Sequence, residues 1–181
     1  MGTAARDRLA KLLGGGAQAA SSMQLHAPVG DIRVEVEGAG RIQYPVTAAK
    51  AKKLITLSAP ARFGRGEKTL TDPQVRDTWE VPKNLVSIGW DTAARESVLA
   101  DVREGLGLPW NCELDIDFHS MLVYETGQFF ITHQDSEKDD SMIGTLVVTL
   151  PSAYTGGDLL IGQGEEWKAY KGSKTAHTLV A

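Results

Sequence analysis

Disulfide bonds cannot brace this chain. Its 181 residues contain one cysteine, Cys112, which excludes an internal disulfide framework and fits a reducing, cytoplasmic compartment. A basic excess is also missing. Nineteen Lys and Arg against 23 Asp and Glu give a net charge of −4, which offers no field to draw nucleic acid or an anionic membrane surface. No apolar run approaches the roughly 20 residues of a membrane-spanning helix. The first 16 residues carry Asp7 among their basic residues and lack the apolar stretch of a secretory signal. Arg6 stands where a myristoylation pattern needs Ser or Thr. There is no Gly-x-Ser-x-Gly nucleophile elbow and no Cys/His spacing suited to zinc. Cys112, two residues after Trp110, reads as a buried, inert thiol. The remaining composition, 42% hydrophobic and 23% charged, is that of one globular domain long enough for a real core.

Periodicity divides the chain. Residues 1–20 read as a short amphipathic helix and a flexible Gly14-Gly15-Gly16 linker, and 21–181 as a single domain. Residues 31–37 alternate, Ile32, Val34 and Val36 against Asp31, Arg33, Glu35 and Glu37, which predicts a half-buried strand. Pro45-Val46-Thr47 opens a helix with Ala51, Leu54 and Ile55 on one face. Residues 59–83 read as irregular. Asp91-Thr92 caps a second helix whose apolar stripe is Ala94, Val98, Val102 and Leu106, ended by Gly105 and Gly107. From Cys112 the period becomes two, with Leu114, Ile116, Phe118, Ser120, Leu122 and Tyr124 on one face, which is expected to point into the core. Thr126-Gly127 breaks that run. Residues 129–135 form the next strand, and 142–150, apolar almost throughout, a strand covered on both faces. Shorter strands follow at 158–161, 167–171 and 176–180. The order, helices and irregular chain over 21–111 and strands over 112–181, predicts an α+β fold with a β-sandwich or jelly-roll core.

Within the strand at 129–135, His133 and Asp135 are separated by one residue, so their side chains share a face. An imidazole nitrogen and a carboxylate oxygen, joined by a second histidine from elsewhere, make the facial triad of non-haem Fe(II) oxygenases, which leaves coordination positions open. Of the other histidines, His119 falls on a polar strand face and reads as solvated, and His26 falls in a loop with no partner pattern. The acidic stretch from Asp135 to Asp140 is not a calcium loop. An EF-hand needs Gly at its sixth position and Glu at its twelfth, and here Asp140 and Leu146 stand there. Its remaining acids read as a solvated turn, with Glu137 and Lys138 bracing the loop behind His133 and Asp135. Gly64-Arg65-Gly66-Glu67-Lys68-Thr69 fails as a phosphate loop because Glu67 occupies the second Gly position and no strand precedes it. It reads as a mobile turn, with a lid bearing Arg62, Arg65 and Arg76 as the functional alternative.

Four stretches together resemble the prolyl 4-hydroxylase-like family of Fe(II)/2-oxoglutarate dioxygenases. They are Met121-Leu-Val-Tyr124-Glu-Thr-Gly127, Phe130-Ile-Thr-His133-Gln-Asp135, Gly144-Thr-Leu-Val-Val-Thr-Leu-Pro151 and Gly156-Gly-Asp-Leu-Leu-Ile161. Upstream, residues 64–69 and 72–76 look like uncharacterised bacterial and fungal members of that group. The resemblance implies a double-stranded β-helix, or jelly roll, with the N-terminal helices packed on it. It implies His133 and Asp135 as iron ligands, Tyr124 as a hydrogen-bond donor to 2-oxoglutarate, Thr145 lining the same pocket, and Gly156-Gly157 turning the chain beside the site. It implies Fe(II), 2-oxoglutarate and O₂ as participants, with ascorbate as an optional reductant. The expected reaction turns 2-oxoglutarate into succinate and CO₂ while hydroxylating a protein side chain, of prolyl type, or a small molecule.

The family's distal His and its 2-oxoglutarate-binding Arg or Lys belong to strands later than residue 181. His177 comes too early in the family's order to be that histidine, so the domain reads as lacking its last strands. The alternatives are a non-catalytic jelly-roll binding module or inactive paralogue, and a cupin-like metal enzyme that does not use 2-oxoglutarate.

Overall fold

The alternation of Ile32, Val34 and Val36 becomes strand β2 (Ile32–Val36), whose three apolar residues are buried and whose Arg33 and Glu35 are exposed. In the computed structural model, which describes residues 22–65, 68–70, 72–135, 141–163 and 165–181, β2 pairs with β3 (Gly40–Arg41) and with β9 (Val86–Trp90). The chain is a mixed α/β structure, mostly strands in small antiparallel sheets. Among the described residues there are two α-helices, neither long and apolar enough to cross a membrane. The expected helix and linker at 1–20 lie outside the described residues, as do residues 136–140 with their proposed Glu137–Lys138 brace and the centre of the 64–69 turn.

Both helices start where their capping residues predict. The Thr47 side chain accepts from Lys50 N at 3.2 Å to open α1 (Ala48–Ile55), and Asp91 accepts from Ala94 N at 3.0 Å to open α2 (Thr92–Gly105). Helix α1 buries Leu54 in a core made by Ile32, Val34, Val36, Ile42, Val81 and Val123. Helix α2 buries Val98 and Val102 against Ala27 and Leu179. These last two belong to β1 (Gln24–Pro28) and β15 (Ala176–Val180), and β15 lies between β1 and β12 (Val147–Thr149). Val148 and Trp90 touch both cores and so join them.

Two expectations change. Residues 59–83 are not irregular. They contain β4 (Ala59–Pro60), β5 (Phe63–Arg65), β6 (Lys68–Leu70), β7 (Arg76–Asp77) and β8 (Trp79–Val81). At two or three residues each, these strands are too short for alternation to register in sequence. Conversely, the period-two run from Cys112 gives only β10 (Met121–Val123), paired with β8. Residues 112–120 keep their alternating exposure but have no ladder partner. Their acidic face is instead tied to neighbouring elements, Asp115 to Arg95 at 3.4 Å and Asp117 to Lys83 at 3.5 Å. Likewise, the strand foreseen at 129–135 is confined to β11 (Phe129–Phe130), which pairs with β7. Of 142–150 only β12 is a strand. The hairpin β13 (Leu159–Gln163) and β14 (Glu166–Tyr170) lies close to its predicted place. Gly156 and Gly157 ahead of it both have left-handed φ, +71° and +66°, a consecutive pair that side chains with a Cβ disfavour.

Candidate functional site

His133 and Asp135 follow β11 and lie outside any ladder, so shared strand pleat does not bring them together. Local hydrogen bonds do. His133 Nδ1 lies 2.8 Å from the Ile131 carbonyl oxygen. A carbonyl can only accept, so Nδ1 is the donor in this bond. Nε2 faces Asp135 Oδ1 at 3.5 Å. The other carboxylate oxygen, Oδ2, accepts from the Thr145 hydroxyl at 2.9 Å. The Phe130 ring stacks on the imidazole with centroids 3.5 Å apart and planes 20° from parallel, which fixes the ring's orientation. Both side chains stay open to solvent, 40% exposed for His133 and 53% for Asp135.

This donor set fits a divalent ion of the first transition row. Such ions bind imidazole nitrogen and carboxylate oxygen at about 2.0–2.2 Å, and two donors 3.5 Å apart can share one. A ligating histidine ordinarily donates its other N–H to a carbonyl or carboxylate, and a ligating carboxylate is itself hydrogen-bonded. Ile131 and Thr145 meet both conditions. Among the described residues no third His, Cys, Asp or Glu completes the cluster.

His177 is elsewhere. It is fully buried on β15 (0% exposed), with the Tyr44 ring edge-on at 4.6 Å. Neither of its ring nitrogens has a partner of good geometry among the described residues. Desolvation pushes its pKa below the ordinary value, outweighing the nearby backbone of Val29 and Ile32 and the Asp31 carboxylate, which favour the proton. His26, read as a loop residue, is on β1 across from Thr178, and His119 is exposed.

Tyr124 follows β10 directly. Val123 points into the first core and Met121 packs against it, so Leu122 and Tyr124 project from the opposite face. The expectation that Leu122 and Tyr124 share the core-facing side is therefore corrected. The strand's register against β8 decides it, since Met121 pairs with Val81 and Val123 with Trp79. Tyr124 is 48% exposed. Partial desolvation raises its pKa, while the Arg76 charge and the Thr78 hydroxyl draw it down.

Thr145, expected to line a co-substrate pocket, donates its hydroxyl to Asp135. Arg76 is the residue whose place the sequence did not show. The lid alternative groups it with Arg62 and Arg65, and β7 sets it directly across from Phe130. Its guanidinium lies over the Phe130 ring, 4.6 Å from the centroid. Its Nη1 donates to the Arg62 carbonyl at 2.5 Å.

No protein-family model, no curated protein and no solved structure matches the chain.

Proposed function

We propose that this chain carries the iron- and 2-oxoglutarate-binding part of a dioxygenase of the prolyl 4-hydroxylase-like family, built on a jelly-roll scaffold, and that it hydroxylates a protein side chain or a small molecule. The observation that carries the reading is the polarity of the His133–Asp135 pair. One nitrogen is committed to Ile131, one oxygen to Thr145, and the remaining nitrogen and oxygen face each other at 3.5 Å. The four family-like stretches support it, as do the closely spaced antiparallel strands from Met121 onward.

Bound iron and 2-oxoglutarate would supply the oxidative chemistry, using O₂ and releasing succinate and CO₂. The chain's own share is placement. His133 and Asp135 hold the ion, while Ile131 and Thr145 orient those two side chains and Phe130 holds the imidazole plane. The Tyr124 hydroxyl donates to a carboxylate of 2-oxoglutarate.

The test is anaerobic Mn(II) binding followed by electron paramagnetic resonance, with 2-oxoglutarate binding measured by calorimetry. The unaltered protein should take up one Mn(II), and His133→Ala and Asp135→Ala should each lose it. The keto acid should bind far more tightly once Mn(II) is present. Metal uptake indifferent to both substitutions would overturn the reading and favour a non-catalytic binding module. Metal uptake that needs both residues but leaves 2-oxoglutarate unbound would favour the cupin-like alternative.

A further inference from the structure

Residues 113–120 alternate between exposed and half-buried side chains as a strand does, yet they belong to no ladder among the described residues. Their one main-chain hydrogen bond there is local, from Ile116 N to the Asp115 carboxylate at 2.8 Å. Side chains hold the stretch in place instead. Leu114 packs against the second core. The Cys112 carbonyl accepts from Arg103 on α2 at 3.4 Å, and Lys83 lies over the Phe118 ring, 5.9 Å from its centroid. The strand that continues the stretch, β10, stands at the edge of its three-stranded sheet.

Unpaired main-chain donors and acceptors along an extended segment are a template for another strand. In a strand, alternate residues direct their N–H and C=O groups to the same side. The Ile116 N–H is committed to Asp115, so the wholly unpaired side is that of Glu113, Asp115, Asp117 and His119. The side chains of these residues narrow the occupant. Glu113, Asp115 and Asp117 face outward, the last two 84% and 92% exposed. Their contacts with Arg95 and Lys83 are single surface pairs, which hold a carboxylate weakly. A second copy of this segment would set acid directly opposite acid, which is unfavourable. A strand with cations at alternate positions would set opposite charges across the pair.

We propose that residues 113–120 bind an extended segment of a partner protein by strand addition, and that this segment carries Lys or Arg at alternate positions with apolar residues between them. The cations meet Glu113, Asp115 and Asp117. The apolar residues fall on the face of Leu114, Ile116 and Phe118. Neither the edge nor its occupant depends on the iron-site reading.

Four labelled peptides of about nine residues test this on the full chain by fluorescence anisotropy. One alternates Lys and Val, one alternates Glu and Val, one scrambles the Lys and Val order, and one repeats the first with its backbone nitrogens methylated. The first should bind, and the acidic and scrambled peptides should bind at least about tenfold more weakly. The methylated peptide keeps the charges but has no main-chain donors, so it should not bind measurably. Asp115→Asn combined with Asp117→Asn should weaken the first peptide roughly threefold to tenfold. Should that variant fail to fold, judged by its urea midpoint, the peptide comparisons on the unaltered protein decide the matter. Amide hydrogen exchange should show Asp115, Asp117 and His119 becoming protected when the first peptide is added.

Equal binding of the basic and acidic peptides, binding that survives methylation, or no binding of the first peptide would overturn the proposal. So would protection of those amides in the protein without peptide. Such protection would put this chain's own residues 1–21 on the edge if it were independent of concentration, and a second copy if it faded on dilution.

Discussion

Thr145 donates its hydroxyl proton to Asp135 Oδ2 at 2.9 Å, which leaves Oδ1 facing His133 Nε2. A threonine ten residues along the chain therefore sets which carboxylate oxygen is free. Thr145→Val keeps the shape and removes the donor. On the proposed reading, Mn(II) affinity should fall by about tenfold to a hundredfold, the usual cost of losing a partner behind a metal ligand. Thr145→Ser should retain most of it. Unchanged Mn(II) affinity in Thr145→Val would show that the hydrogen bond does not orient the carboxylate.

Tyr124 offers one half-exposed hydroxyl within reach of the Arg76 charge. A hydrogen bond from it to an ionised carboxylate contributes about 1.5–3 kcal/mol, or roughly tenfold to a hundredfold in affinity. Tyr124→Phe should weaken Mn(II)-dependent 2-oxoglutarate binding by that factor while leaving Mn(II) binding itself unaltered. A calorimetric titration with no change in affinity would remove Tyr124 from the site.

His177 makes stability depend on pH. Burial holds its folded pKa below the value of about 6.5 that it has in the unfolded chain. Between those two values the unfolded chain binds a proton that the fold does not. Stability is therefore fully present above about pH 6.5 and declines as the pH falls from there toward the folded pKa. Urea midpoints measured from pH 7.5 down to 5 should show this decline, and it should be shallower in His177→Leu. Parallel curves for the two proteins would mean that His177 already carries a proton in the fold.

Leu179 is 1% exposed and packs beneath α2, whereas Leu160 on β13 is 58% exposed. Leu179→Ala should cost about 2–5 kcal/mol, because it leaves a cavity where Val98, Val102 and Ala27 meet. Leu160→Ala should stay within about 0.5 kcal/mol. Equal losses by urea denaturation would show that the second core is not packed as described.

The Asp91 cap of α2 tests local sequence logic. Asp91→Ala removes the acceptor for Ala94 N and should cost about 1 kcal/mol, with Asp91→Asn nearly neutral. A larger loss in Asp91→Asn than in Asp91→Ala would assign Asp91 a role other than capping.

Where one residue's chemistry suffices, the sequence was legible. Alternation placed β2, capping side chains placed α1 and α2, consecutive glycines marked the turn before β13, and the strand expected at 176–180 is β15. Where a second segment is needed, it was not. The run at 112–120 alternates as well as β2 does, yet only Met121–Val123 finds a partner in β8. The strands between Ala59 and Val81 are held by pairing across distant segments and carry too few residues to show a period. The same holds for the site, where the nearness of His133 and Asp135 was foreseen but a continuous strand was the wrong reason for it.

The amino-acid sequence by itself determined the donor types at positions 133 and 135, the helix starts, the positions of β2 and β15 and the absence of disulfides, because each follows from residues within a few positions of one another. Only the tertiary structure decided that Tyr124 turns away from the core, that Thr145 binds Asp135, that His177 is sealed against Tyr44 and that Arg76 lies over Phe130. Each of those depends on the register between strands far apart in the chain. A one-residue shift of register would send every side chain to the other face, and no local pattern records which register is taken.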